Sequence, residues 1–474
     1  MNKLSKNNLN EKIEIEETNI RRNKRLENRK EILNGPIAKT LFFLAWPVMI
    51  GNTMQVAYNL ADTFWLGRVG ADAVAALSIG FPLVFLIISI GAGITVAGTT
   101  LVAQYMGRGD EEMTNKVTAQ IFLFVGALSI ILAILGYSFN EQVLQLMGSP
   151  ANIIDDASDY LDIISLGIPF MFAFFIFSAL LRGYGDTKTP MKMMVFSTLL
   201  NIILDPILIF GVGFFPEMGV RGAAYATIFA RAVAGIIGVY ILFTGKKGLH
   251  LKAKYLKPDF KEIKKILVLG IPSAGEQSIV ALGMTFLMSI VSEFGTVVVA
   301  AYGIGSRILS AVMLPSRGFA TATTTMVGQN LGAENVDRAE KSAWTSSTII
   351  LITMTLLALL FNLFPRFVIS IFNTDPEVIR IGVGFLRIVG FSFGFLGVRF
   401  IIGGSFRGAG NTIIAMIIAI IALWGIRLPM AQFLGINLSW GPKGIWWGMF
   451  LSNFITAIIA AIWFKKGSWK EKAV

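Results

Sequence analysis

The sequence predicts an all-α polytopic membrane protein with twelve transmembrane helices in two six-helix lobes. Three observations predict it. Hydrophobic residues make up 54% of the 474 and charged residues only 15%, whereas soluble domains average about a quarter charged. Apolar runs of about 20 residues or more alternate with short polar loops, the pattern of chains that satisfy their backbone groups inside lipid. The second half also repeats the first at a nearly constant offset.

The elements follow in order. Residues 1–34 carry mixed charge and no apolar core, so they read as a mostly disordered cytosolic tail and not as a cleavable signal peptide. A surface-lying helical piece is expected around Ile20 to Leu33. Twelve spans come next by apolar length, at roughly 39–66, 73–105, 116–138, 157–181, 189–212, 220–244, 262–291, 296–329, 341–363, 381–405, 411–434 and 442–465. Several exceed about 20 residues, so tilt, kinks or protruding ends are expected. The first six spans form an amino-terminal lobe over 35–245. A basic linker covers 246–265, the last six spans form a carboxyl-terminal lobe over 266–466, and 467–474 are a tail.

Orientation follows from lysine and arginine. The stretch from Lys246 to Lys265 is the densest basic segment, and Lys465, Lys466, Lys470 and Lys472 crowd the end. The loop from Asn140 to Asp159 carries acids and no base. Both termini and the linker are therefore expected on the cytosolic side.

The halves correspond residue by residue. Pro47 and Pro272 lie 225 apart, as do Gly70 and Gly295, Gly93 and Gly318, Thr100 and Thr325, Gln104 and Gln329, and Gly107 and Gly332. Arg182-Gly183-Tyr184-Gly185-Asp186-Thr187 returns as Arg407-Gly408-Ala409-Gly410-Asn411-Thr412. Late in the halves the offset becomes 222, pairing Gly219 and Gly222 with Gly441 and Gly444. Six spans per half is even, so both halves enter the membrane in one direction. The repeat is parallel, a natural frame for alternating access.

Composition excludes several chemistries. With no cysteine, disulfides and thiol catalysis are absent. The single histidine, His250, sits in the basic linker, which argues against a histidine zinc site or proton relay. The net charge of +12 fits cytosolic loops better than nucleic-acid binding. No metal-ligand cluster or catalytic constellation suggests an enzyme.

The chemistry lies in carboxylates within spans. Asp62, in NLADTFW, falls on Leu287 at the 225 offset, so the fold does not require an acid there. Asn52, Gln55, Asn59 and Asp62 form one helical stripe that should face the bundle interior, with Tyr58 beside it as a further cavity candidate. The same polar side chains could instead be interhelical hydrogen bonds. In NIILDPILIF, Asn201 and Asp205 share a face, and Pro206 frees a carbonyl one turn earlier, a set suited to a hard cation. Glu276 and Gln277 follow Pro272 and read either as cavity groups or as entrance residues. Arg427 either meets an acid or a phosphate-bearing ligand, or snorkels to the interface. Arg182 and Arg407 are explained by cytosolic turns.

These residues carry a resemblance. LAWPVMIGN, YNLADTFWLGRVG, LVAQYMGRGD, LLRGYGDTKTP, NIILDPILIFG and GVRGAAYAT, with LGIPSAGEQ, MVGQNLGA and FRGAGNT, resemble the multidrug and toxic compound extrusion (MATE) family in its prokaryotic DinF-like branch. The resemblance covers about residues 35 to 465. It implies V-shaped lobes in a prokaryotic inner membrane and cation-coupled efflux of bulky, often cationic drugs. It also implies a key acid on the first helix, matched by Asp62, and a polar site on the fifth, matched by Asn201 and Asp205. Thr227 in GAAYAT is the candidate sixth-helix hydroxyl, and Pro47 the candidate first-helix bend. In another branch a second-lobe acid lies about two turns after the seventh-helix proline. Here that position is near Val280, and Glu276 fits the DinF-like pattern, so coupling belongs in the first lobe.

The expected function is therefore an antiporter driven by protons, sodium or both, with Asp62, Asn201 and Asp205 also the candidate sodium ligands. Burial disfavours a charged carboxylate, so either cation would neutralise the site and weaken its hold on an organic cation. No cofactor is expected. Partners would be small-molecule drugs and membrane lipids, and two complete lobes make a monomer sufficient. A lipid-linked precursor flippase is the nearest rival. It would want a cationic cavity, and the sequence suggests few interior arginines beyond Arg427. A major-facilitator transporter lacks support, since QYMGRGDEE stands where an Asp-Arg-rich loop would be.

Overall fold

A computed structural model of the chain describes residues 26, 27, 29–150 and 152–471. Among the described residues every regular element is helical. The first lobe holds α1 (Ile37–Val69), α2 (Ala71–Arg108), α3 (Glu111–Leu146), α4 (Ile154–Tyr184), α5 (Lys188–Phe210) and α6 (Gly219–Thr244). The second holds α7 (Phe260–Ser292), then α8, a broken span of Thr296–Val312 and Leu314–Gly332 meeting at 40°. It continues with α9 (Val336–Leu363), α10 (Pro376–Gly408), α11 (Thr412–Asn437) and α12 (Pro442–Lys465). Eleven helices among the described residues are long and apolar enough to cross a membrane, and the bent α8 pair makes a twelfth span.

Local chemistry sets the helix ends. Asp110 caps α3, its carboxylate accepting from the Met113 N–H at 2.9 Å. The twin turns after α4 and α10 both place a glycine in left-handed backbone, Gly185 at φ 101° and Gly410 at φ 80°. The span expected over 411–434 is present as α-helix interrupted by wider π turns at Ile421–Arg427 and Phe433–Asn437. Inserted π turns add residues within a span and recur at functional sites.

Each lobe has an apolar core to which the first helix of the other lobe contributes, Leu41 and Leu44 of α1 in one and Ile266 and Leu269 of α7 in the other. Phe172, Phe177 and Leu101 are fully buried in the first, and Phe385, Phe393 and Trp446 in the second. Tyr302 stacks on Trp446 with centroids 5.9 Å apart. Leu287, the counterpart of Asp62, is fully buried in the second-lobe core.

The lobes meet at the end carrying both termini, through contacts that obey the repeat. Thr100 Oγ1 donates to the Arg407 carbonyl at 2.8 Å, and Thr325 Oγ1 donates to the Arg182 carbonyl at 3.0 Å. Gln104 Nε2 donates to Gly408 O at 3.0 Å, and Gln329 Nε2 to Gly183 O at 2.9 Å. Both partners in each pair are related by the 225 offset. Glycines allow the approach. A methyl on Gly107 would lie 2.0 Å from the Gln329 carbonyl oxygen, and one on Gly332 would lie 2.0 Å from that of Gln104. The first helix of each lobe also leans across: α1 packs Ala45 and Met49 against Gly318, and α7 packs Gly270 and Ala274 against Gly93.

The tail expectation falls largely on residues 1–25, outside the described residues. Residues 29–34 are helical. Arg29 donates through Nη2 to Gly107 O at 2.7 Å, and Arg338 of α9 donates to the carbonyls of Ile32 and Gly35. Ile32 is 3% exposed. This segment therefore bridges both lobes. His250 lies in the linker, its backbone N–H bonded to Asn115 Oδ1 at 3.1 Å.

Candidate functional site

Three helices bring the first-lobe candidates together. Asn201 and Asp205 lie one turn apart on α5, both fully buried, and Asn201 Nδ2 donates to Asp205 Oδ1 at 2.9 Å. Their face of α5 packs toward α1 and α6, because the opposite face carries exposed Leu199 and Ile203. Asp62 on α1 lies against the Asp205 carboxyl, the Asn201 amide and the Thr227 hydroxyl. Thr227 on α6 is 8% exposed, and its carbonyl accepts from the Tyr58 hydroxyl at 3.3 Å, fastening α6 to α1.

The remaining valences are unusual. Asp62 Oδ1, Asn201 Oδ1, Asp205 Oδ2 and Thr227 Oγ1 are all buried without a hydrogen-bond partner. Buried polar atoms are nearly always satisfied, so four orphaned oxygens in one cluster set this place apart from the ordinary packing of the lobe. No group of three or more His, Cys, Asp or Glu converges among the described residues. A cation here would meet two carboxylates, an amide oxygen and a hydroxyl.

A residue the sequence reading missed completes the cluster. Arg231 on α6 is 4% exposed and donates through Nη2 to Gln55 Oε1 at 2.6 Å. Its guanidinium lies over the Tyr58 ring, 4.6 Å from the centroid. The signal was present: an arginine inside the apolar run ATIFARAVAG is expensive in a membrane and marks function by default. Gln55 also donates to Asn59 Oδ1 at 3.2 Å, while Asn59 itself is exposed. The polar stripe of α1 thus faces inward at Asp62 and Gln55 and outward at Asn59. Pro47 is buried within α1, and the helix is continuous through it.

In the second lobe, Glu276 is not a solitary acid. Arg407 Nη1 donates to both its carboxylate oxygens at 3.0 Å, with each side chain 15% exposed. Arg407 is therefore not merely a topological turn residue. Gln277 is exposed and lies away from this pair's helix face. Arg427 does not snorkel: it is 4% exposed and donates to Asn453 Oδ1 at 2.7 Å. The expectation of few interior arginines is overturned by Arg231 and Arg407, which turned inward to Gln55 and Glu276 and not toward headgroups, and by the half-buried Arg399.

The MatE family model matches residues 47–207 and 272–433, one stretch in each lobe. The chain is 31% identical to the probable multidrug resistance protein YoeA of Bacillus subtilis, over 90% of this chain and 93% of that one. It is 30% identical to the probable multidrug resistance protein NorM of Thermotoga maritima, over 92% and 94%. Among solved structures, an outward-facing multidrug resistance MATE family transporter of the MOP superfamily superposes with a TM-score of 0.87 at 26% identity, covering 93% of this chain and 98% of that one. With a family match across both repeat units and relatives spanning nearly the whole chain, this polytopic membrane protein belongs to the MatE family of transporters.

Proposed function

We propose that the chain is a cation-coupled multidrug antiporter, driven by protons or sodium, that exports bulky organic cations by alternating access. The observation that carries this reading is the set of four unpartnered oxygens on Asp62, Asn201, Asp205 and Thr227. A sodium ion could take all four as ligands, since hard cations take oxygen ligands, whereas a proton would sit on one carboxylate and be shared with a single neighbouring oxygen. Arg231 offsets one of the two carboxylates, leaving one net negative charge for one incoming cation. That cation and an organic cation then discourage each other's binding, which is all that antiport requires. The names of the relatives, multidrug resistance proteins, support the substrate class. The lobes joined at the terminus-bearing end support an outward-open resting state.

The test is dye efflux from proteoliposomes under an imposed sodium or proton gradient, comparing the wild type with Asp62→Asn. Drive by one ion, lost in the variant, names that ion and places coupling at Asp62. Drive by both, lost in the variant, means one site serves two competing cations. Undiminished coupling in Asp62→Asn would refute the reading.

A further inference from the structure

We propose that residues 29–35 form a releasable strap across the seam, with Arg29 and Arg338 as its two clasps, and that one clasp must let go before the terminus-bearing end can open. Arg29 donates through Nε and Nη2 to the Gly107 carbonyl, at 3.1 and 2.7 Å. That carbonyl lies in the last turn of α2, where no helical donor reaches it and a cation is favoured. The other clasp belongs to the second lobe. Arg338, in the first turn of α9, donates through Nη2 to the carbonyls of Ile32 and Gly35 and through Nε to that of Ile32. Between the clasps Ile32 is 3% exposed, and its Cδ1 lies against Gly185, where an added methyl would come within 2.6 Å.

The repeat shows why this strap, and not its twin, has to release. Arg29 corresponds to Lys254 at the 225 offset, so the tail segment matches the linker ahead of α7. As α9 of the second lobe holds the tail, α3 of the first holds that linker: Gln120 Nε2 donates to the carbonyls of Tyr255 and Lys257 at 2.6 and 2.7 Å. Each lobe's first helix is thus led in by a segment that the third helix of the opposite lobe grips. The twins differ in what stands upstream. The linker comes directly from α6, with Leu249 and Leu251 both 1% exposed in the first-lobe core. The peptide chain therefore ties it to the same lobe that grips it, and that grip can persist when the lobes part. The tail has the opposite arrangement. Arg29 and Ile32 hold it to the first lobe, whereas Arg338 grips it from the second. The piece between them is a short helix that cannot stretch, so the two holds cannot both survive separation.

Only the closed arrangement satisfies both clasps. The strap adds its hold to the paired threonine and glutamine bonds of the seam, and it does so at Gly107, where the lobes approach most tightly. Because the segment runs on into α1, it stays tethered after release, and its return is an intramolecular event that needs no partner. The strap itself rests on these contacts alone. That its release is a step of each transport cycle rests on the transporter reading.

The experiment measures maleimide labelling of a single cysteine, Thr100→Cys, at a fully buried seam position. It uses the full chain in a neutral maltoside detergent, with no gradient and no drug. In that background Arg29→Ala, Arg338→Ala and the double variant are compared. Either single substitution should speed labelling at least fivefold. The double variant should label within twofold of the faster single one, since a strap cut at one end holds nothing at the other. Arg29→Lys, which keeps a charged donor, should recover part of the protection. If Arg338→Ala does not fold, the two Arg29 variants decide. Labelling unchanged in Arg29→Ala, or effects that multiply in the double variant, would overturn the proposal. Dye efflux from proteoliposomes then separates the two readings. Its half-saturating dye concentration should fall in the strap variants, because only the population open at the terminus-bearing end takes up dye there. Faster labelling with no such fall would leave the strap standing and count against the transporter reading of its release.

Discussion

Asp62 Oδ1, Asn201 Oδ1, Asp205 Oδ2 and Thr227 Oγ1 carry a stability cost, because each buried acceptor left without a donor costs about 1–3 kcal/mol. Asp62→Asn brings an amide donor into that cluster. It should therefore raise the unfolding midpoint in detergent, by the equivalent of about 1–3 kcal/mol, while abolishing coupled efflux. A variant that is both less stable and uncoupled would point to a structural role for the acid. Arg231→Gln removes the fixed cation and should tighten sodium or proton binding at least about tenfold, since opposite charges a few Å apart interact by about 4 kcal/mol at an effective dielectric near 20. Sodium-dependent fluorescence would report it. Asp62 was legible in the sequence because the other lobe has leucine at the same place. Arg231 stood in plain view within an apolar run, but its partners Gln55 and Tyr58 lie on α1, and no spacing rule connects residues 176 apart.

At the scale of elements, α1 is the part that joins site to seam. Ala45 and Met49 pack against Gly318 in the second lobe, Tyr58 bonds to α6, and Asp62 lies in the oxygen cluster. Pro47 stands at the seam end, where its missing N–H leaves the Phe43 carbonyl without a helical donor. Pro47→Ala restores that bond and stiffens the helix. The expected outcome is slower turnover, several-fold or more in dye efflux, with cation affinity unchanged in the binding assay. An equal loss of both would place Pro47 in the binding site itself. The span limits were legible to within five residues, except that α3 runs to Leu146 where 138 was expected, because apolar length is set by the bilayer. The π turns of α11 were not, since inserting a residue into a uniformly apolar helix leaves no mark on its composition.

For the whole molecule, the repeat was visible as matched letters, yet its meaning was not. An offset says which residues correspond; it does not say that Thr100, Gln104 and Gly107 of one lobe touch the counterparts of their own neighbours in the other. That exchange appears only when the lobes are brought together. Gly107→Ala or Gly332→Ala places a methyl 2.0 Å from a backbone oxygen and must push the lobes apart. Either should shift the resting population toward opening at the terminus-bearing end. The chain has no cysteine, so single cysteines introduced along that seam can be labelled without background. Labelling at least about fivefold faster in the glycine variants, a shift of about 1 kcal/mol in the opening equilibrium, is the expected result. An unchanged rate would mean the seam accommodates the methyl without opening.

The paired seam also limits how hard this machine can be driven. Thr100, Gln104, Thr325 and Gln329 each give up a hydrogen bond when the lobes part, at about 0.5–1.5 kcal/mol apiece. On the proposed antiport, one cation moving inward would supply about 2.3 kcal/mol per 100 mV. The lock and the stroke are thus of similar size. A tighter seam would not make a stronger exporter but one that stalls, halting in a poorly energised cell while its binding sites remain intact.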